Sequence, residues 1–200
     1  MTRSGFTHRK AAKYNSRMTV KRRGSHAARI QELKPLSQLK IALFAAAVAE
    51  RALGEARTLV ESDDYPKAQP ALLFLWDRLA ANHLAYDAEV RARHQEVSDY
   101  IPRDAEEAEP LPQAWADAIG ALSYAFMVLY KPENAHAYAA NCAGEGTHLV
   151  ATYYKDTLVM EEEEAKWQDL ALALVQSKDA ARAEFAALRD YARGDFEEPD

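Results

Sequence analysis

One cysteine in 200 residues, Cys142, excludes an internal disulfide framework and favours a reducing compartment. The chain has no Gly-rich phosphate loop, dinucleotide fingerprint, Gly-x-Ser-x-Gly elbow or cluster of zinc-spaced cysteines. The familiar nucleotide, zinc and nucleophile-elbow chemistries are therefore unsupported. Its longest uncharged run, residues 118–130, is too short to cross a bilayer, which takes about 20 apolar residues. No apolar segment of signal-peptide type opens the chain, so a cytoplasmic protein is expected, with no membrane partner. Strand-like alternation and internal repeats are missing too. Two hundred residues suffice for one self-supporting domain, burying roughly 70% of the unfolded surface.

Acidic residues are nearly missing from one end. Residues 1–34 hold ten Lys/Arg and a single acid, Glu32, a surplus of +9, which leaves −15 on residues 35–200 out of a net −6. With no sustained apolar periodicity, residues 1–34 are expected to be a disordered basic arm. Lys21, Arg22 and Arg23 are its densest basic cluster and its candidate nucleic-acid contact. A solvated extension explains the same composition, and a transit peptide would need a stronger apolar face. Residues 35–193 are read as the helical domain and 194–200 as an acidic tail.

What is present is helical periodicity. Residues 114–130, AWADAIGALSYAFMVLY, carry no charge between Asp117 and Lys131, which predicts a central helix buried on all sides, from about Leu111 to Lys131-Pro132. Ser37 is positioned to cap a first helix running to about Val60, with Leu36, Leu39, Leu43, Phe44 and Val48 on one face. Ala45, Ala46, Ala47 and Ala49 allow a neighbour to approach closely. A second helix is expected from Pro66 or Pro70, with one long stripe through Leu72, Trp76, Leu79, His83, Tyr86, Val90, His94, Val97 and Ile101. Residues 102–112 read as an acidic loop. A fourth helix is predicted from Glu133 to about Thr157 with a weak point at Gly144 and Gly146. A fifth would be opened by Glu161 to Glu164, with a stripe through Trp167, Leu170, Leu174, Lys178, Ala181, Phe185 and Leu188 and a stop at Gly194. The fold class is all-α: one bundle-like domain of five or six helices.

Three segments carry a family resemblance: Leu36 to Arg51 (LSQLKIALFAAAVAER), Leu72 to Leu79 (LLFLWDRL) and Trp115 to Leu122 (WADAIGAL). With the Trp167 helix, they resemble, in the same order, a family of uncharacterised bacterial proteins typified by YjaG of enteric bacteria. The resemblance covers most of residues 36–192. It departs at Leu53-Gly54-Glu55, where the family tends to have Pro-Asn-Tyr, and at Gly120, where it has Asp. The resemblance implies an all-helical domain and brings no established activity.

Candidate chemistry is sparse. Glu133/His136 and Glu145/His148 repeat the Glu-x-x-His pair of di-iron bundles. Twelve residues along one helix separate them by about 18 Å, too far to share an ion. His83 and His94 fall on the second stripe with Asp87 one turn beyond His83, a base with its orienter or two satisfied core residues. Glu50-Arg51 suits a buried polar network, and Cys142 a small core position. No catalytic residue, metal or cofactor is assigned. The leading expectation is a non-enzymatic module that binds another protein, such as an immunity or antitoxin-like inhibitor of a basic toxin. Its candidate contacts are Glu106, Glu107, Glu109, Glu161, Glu162 and Glu163. A metal- or His-dependent enzyme and a nucleic-acid binder led by the arm are the rivals, and a homodimer is compatible with each.

Overall fold

Three helices begin where a short polar side chain, Ser25, Ser37 or Asp87, accepts from backbone N–H groups. A computed structural model describes residues 25–59, 64–100, 113–154, 157–177, 188–190 and 192. Among these residues there are seven α-helices with described bounds, further helical residues at 188–190 and 192, and no strand. The seven are α1 (His26–Leu33), α2 (Gln38–Leu59), α3 (Asp64–Ala80), α4 (Ala88–Asp99), α5 (Gln113–Tyr130), α6 (Ala135–Tyr153) and α7 (Thr157–Gln176), with a 3-10 turn at Pro132–Asn134. The all-α class stands, and the count exceeds the five or six helices expected. No described helix is long and apolar enough to cross a membrane.

The core is built on α2, α5 and α6. Every residue from Ile41 to Ala49 is buried, and the alanines among them let α5 and α6 pack directly on α2. Trp76, Trp115, Phe44 and Phe126 are fully buried. Each such large apolar side chain contributes roughly 1.5–3 kcal/mol relative to exposure. α5 buries eleven residues, yet its expected burial on all sides is corrected along one row. Ala116, Gly120, Ser123 and Met127, spaced by four, three and four, are half-buried. Ala116, Gly120 and Ser123 on that row are small, and with Met127 they leave α5 only partly covered there.

The long second helix is two helices. α3 ends at Ala80, Asn82 takes a left-handed φ of 51°, and Asp87 caps α4 by accepting N–H bonds from Glu89 and Val90 at 3.1 and 3.0 Å. Arg78 closes the corner on the Ala85 carbonyl (3.0 Å) and the Asp87 carboxylate. The three-and-four spacing runs across the break because both helices face the same core.

The expected boundary at residue 35 is also corrected. Ser25 caps α1, its Oγ accepting from the Ala28 N–H at 3.3 Å. Arg29 is 2% exposed, paired with Asp169 of α7 at 2.8 Å and Glu32 at 3.0 Å, and its guanidinium lies over the Phe44 ring. A basic residue assigned to a solvated arm is therefore part of the core. Residues 1–24, the 102–112 loop and 194–200 lie outside the described residues.

α6 runs unbroken through Gly144 and Gly146. A Cβ at Gly146 would meet Glu164 Oε1 and Val48 Cγ1 at 3.4 Å, so this glycine serves the approach of α2 and α7 instead of a break. α7 starts at Thr157, one turn before Glu161, and buries Glu164, Trp167, Gln168, Ala171, Leu172 and Val175. Leu170 of the expected stripe faces outward at 43% exposure. Lys178, Ala181 and Phe185 lie outside the described residues.

Candidate functional site

At 100° per residue, the half-buried row of α5 has Ser123 on one flank and Asp117 and Tyr124 on the other, with Ala116, Gly120 and Met127 between. Both flanks carry titratable groups. On the α4 side, Tyr86 Oη and His94 Nδ1 are 2.8 Å apart, and His94 Nε2 and Ser123 Oγ are 3.1 Å apart. The imidazole stacks on Phe126 with centroids 5.7 Å apart, and Tyr86 packs against Tyr130 at 4.8 Å. Burial lowers the His94 pKa, favouring the neutral ring, and raises that of Tyr86. The result is a serine, a neutral imidazole and a tyrosine joined in a line.

On the α6 side, the Asp117 carboxylate accepts from Gln113 Nε2 at 2.7 Å and from His148 Nδ1 at 2.8 Å. The Asp117 side chain is 4% exposed and His148 58%, so a buried acid holds a solvent-facing imidazole. One turn before His148, the half-buried Glu145 lies against Gly120, where a Cβ would stand 3.4 Å from its Cδ. Burial, then the neighbouring Asp117 charge, raise the Glu145 pKa, with His148 opposing. Tyr124 is raised by burial and then by Glu145. Four perturbed groups therefore border one open row, the pattern expected of acid–base or ligand chemistry.

A second polar cluster is closed. Arg51 Nε donates to Glu164 Oε2 at 2.8 Å, and its guanidinium reaches Glu55 at 3.4 Å and covers Trp167. Gln168 Nε2 donates to Glu164, the Ala143 carbonyl and Thr147 Oγ1 at 2.9, 3.0 and 3.3 Å. Tyr154 donates to Glu55 at 2.6 Å, and burial followed by that bond pushes its hydroxyl to about 12. Burial raises the Glu164 pKa, with Arg51 pulling the other way. Glu50 lies 3.6 Å from Arg189. Arg51 thus belongs to a partly buried polar network of the kind its sequence position suggested, while Glu50 turns to Arg189.

His83 is not on an apolar stripe: it is 51% exposed in the 81–87 connection and 3.8 Å from Asp87, which Arg78 and the α4 N-terminus already engage. Those backbone bonds, Val90 first, and then Arg78 lower the Asp87 pKa. Cys142 is buried, donates its S–H to the Ala45 carbonyl at 3.3 Å, and is pushed well above its ordinary pKa by burial. His136 and His148 lie on the unbroken α6, and among the described residues no group of three or more His, Cys, Asp or Glu could hold a metal ion. Glu161 and Glu162 are half-buried and Glu163 exposed, all a turn inside α7. Beside them Leu158, Val159 and Leu170 are among the exposed large apolar residues. Glu106, Glu107, Glu109, Lys21, Arg22 and Arg23 lie outside the described residues. Sequence reading missed the Asp117–His148 and Ser123–His94 pairs. The sequence singles out Asp117 alone, as the last charge before a thirteen-residue uncharged run, and carries no sign of its partner.

No protein-family model matches the chain, and no curated protein sequence matches it. Among solved structures, a DUF416 family protein from Shewanella baltica OS155 superposes with a TM-score of 0.65 at 19% identity, over 83% of this chain and 93% of that one. The likeness is one of fold, to a domain of unknown function.

Proposed function

We propose that this protein is a binding module whose α7 surface engages a basic protein, an immunity or antitoxin-like inhibitor being the concrete version. The observation that carries the reading is the outward side of α7. Val159, Glu163, Lys166, Leu170 and Ala173 recur at four, three, four and three, with Leu158 and Glu162 alongside. Apolar side chains exposed beside acids supply the two parts of a protein contact: desolvated area for affinity and charge for steering. The −15 on residues 35–200 sets the sign of the partner. We further place the chain among YjaG-like domains. Support comes from the motifs at Leu36–Arg51, Leu72–Leu79 and Trp115–Leu122 together with the shared all-helical fold.

The test is a photo-crosslinking amino acid at Leu170 in the host cell, followed by purification of the captured protein and kinetics with the pure pair. A basic partner is expected. Glu161→Gln/Glu162→Gln/Glu163→Gln should slow its association and flatten the salt dependence, and Leu170→Asp should speed dissociation. Capture of a second copy of this chain would replace the proposal with self-association. Unchanged kinetics in both variants would remove α7 from the contact.

A further inference from the structure

The open row of α5 lies apart from the α7 surface and carries its own chemistry. We propose that Ser123 is a nucleophile that takes acyl groups from small uncharged esters, with His94 as its general base and Tyr86 as the positioning residue. The geometry is that of an activated hydroxyl: nucleophile and base 3.1 Å apart, and the base oriented at its other nitrogen by a third group at 2.8 Å. Phe126 stacks on the ring at 5.7 Å and fixes its plane. In the tautomer carrying its proton on Nδ1, His94 donates to Tyr86 Oη and accepts from Ser123 Oγ through Nε2.

The step then balances. His94 Nε2 takes the Oγ proton as the Oγ lone pair bonds to the ester carbonyl carbon. The bond from that carbon to the alcohol oxygen breaks, and the imidazolium returns its proton to the departing alkoxide. Acyl-serine and free alcohol result, and water repeats the sequence to release a carboxylic acid. On the opposite flank stands the Tyr124 hydroxyl, a hydrogen-bond donor whose pKa is raised by burial and then by Glu145. The substrate class follows from the same surroundings. Glu145 packs over Gly120 and Met127 shares the row, which limits the acyl group to a small one, and the buried Asp117 carboxylate disfavours an anionic one.

The experiment uses the full chain with a fluorophosphonate reporter and with p-nitrophenyl acetate. One adduct per chain, mapped to Ser123, and a burst of one p-nitrophenolate are expected, both lost in Ser123→Ala. His94→Gln should slow labelling by about 10²-fold or more. The labelling rate should fall as pH is lowered, with a midpoint below the ordinary imidazole range because burial lowers the His94 pKa, and Tyr86→Phe should move that midpoint as well as the rate. Circular dichroism melts confirm that each variant is folded. No adduct on Ser123 in the folded wild-type chain overturns the proposal. So does labelling that is indifferent to His94→Gln in a folded variant.

Discussion

Arg51 and Glu164 show how much one side chain carries when its partner is buried. Glu164 is 2% exposed, and Arg51 supplies the guanidinium that opposes its desolvation. Arg51→Met leaves a buried carboxylate without that cation, and should cost about 3–5 kcal/mol in denaturant titration at neutral pH. The loss should shrink under acid, where Glu164 can neutralise. Glu145 supplies a second residue-scale prediction. Its folded pKa is raised above the unfolded value, so between the two the native state binds more protons and wild-type stability falls as pH rises through that window. Glu145→Gln should abolish that slope and match or exceed wild-type stability at pH 7, as read from melting temperatures between pH 4 and 8. A Gln variant that keeps the wild-type slope would assign the titration elsewhere.

Elements were legible where periodicity and punctuation agreed. α2 starts after Ser37 and is described as far as Leu59, while α5 stops at Lys131-Pro132, because caps and proline act locally. The break between α3 and α4 was less visible, since Asn82 and Asp87 are common residues whose roles depend on φ and on free N–H groups. The buried side of α7 was misread because it is partly polar: Glu164 and Gln168 face inward to meet Arg51 and Thr147, while Leu170 faces out. Hydrophobicity alone cannot rank those choices. The Ser123–His94 and Asp117–His148 pairs join different helices, so no spacing along the chain could pair them. Two substitutions test the elements. Asp87→Ala removes the α4 cap and should cost roughly 1 kcal/mol or more, with Arg78 losing one of its acceptors as well. Gly144→Ala meets nothing within 4 Å and should stabilise α6 by about 0.5–1 kcal/mol. Gly146→Ala should return less, because its Cβ arrives against Glu164 and Val48 at 3.4 Å. Equal gains at both glycines would mean that the α2–α6–α7 contact relaxes freely.

At the scale of the whole molecule, the unevenly charged chain does not divide where its charge changes sign. The basic segment was expected to end at residue 34, yet α1 buries Leu33 completely and Arg29 almost so, and ties α7 to the N-terminal end of the fold. His26 also meets Asn141 of α6 at 2.6 Å. Removing residues 1–24 touches none of these contacts. Removing residues 1–34 deletes them all and uncovers Phe44 beneath Arg29. Burial of Leu33 alone is worth roughly 1.5–3 kcal/mol. For a domain of this size each kcal/mol moves the melting temperature by about 2–4 °C. The first truncation should therefore melt within a degree or two of the full chain, and the second at least several degrees lower, by calorimetry in the same buffer. If both melt alike, α1 contributes nothing to stability and the boundary read from charge was the right one. If the shorter cut also destabilises, residues 1–24 support the fold as well as carrying its positive charge.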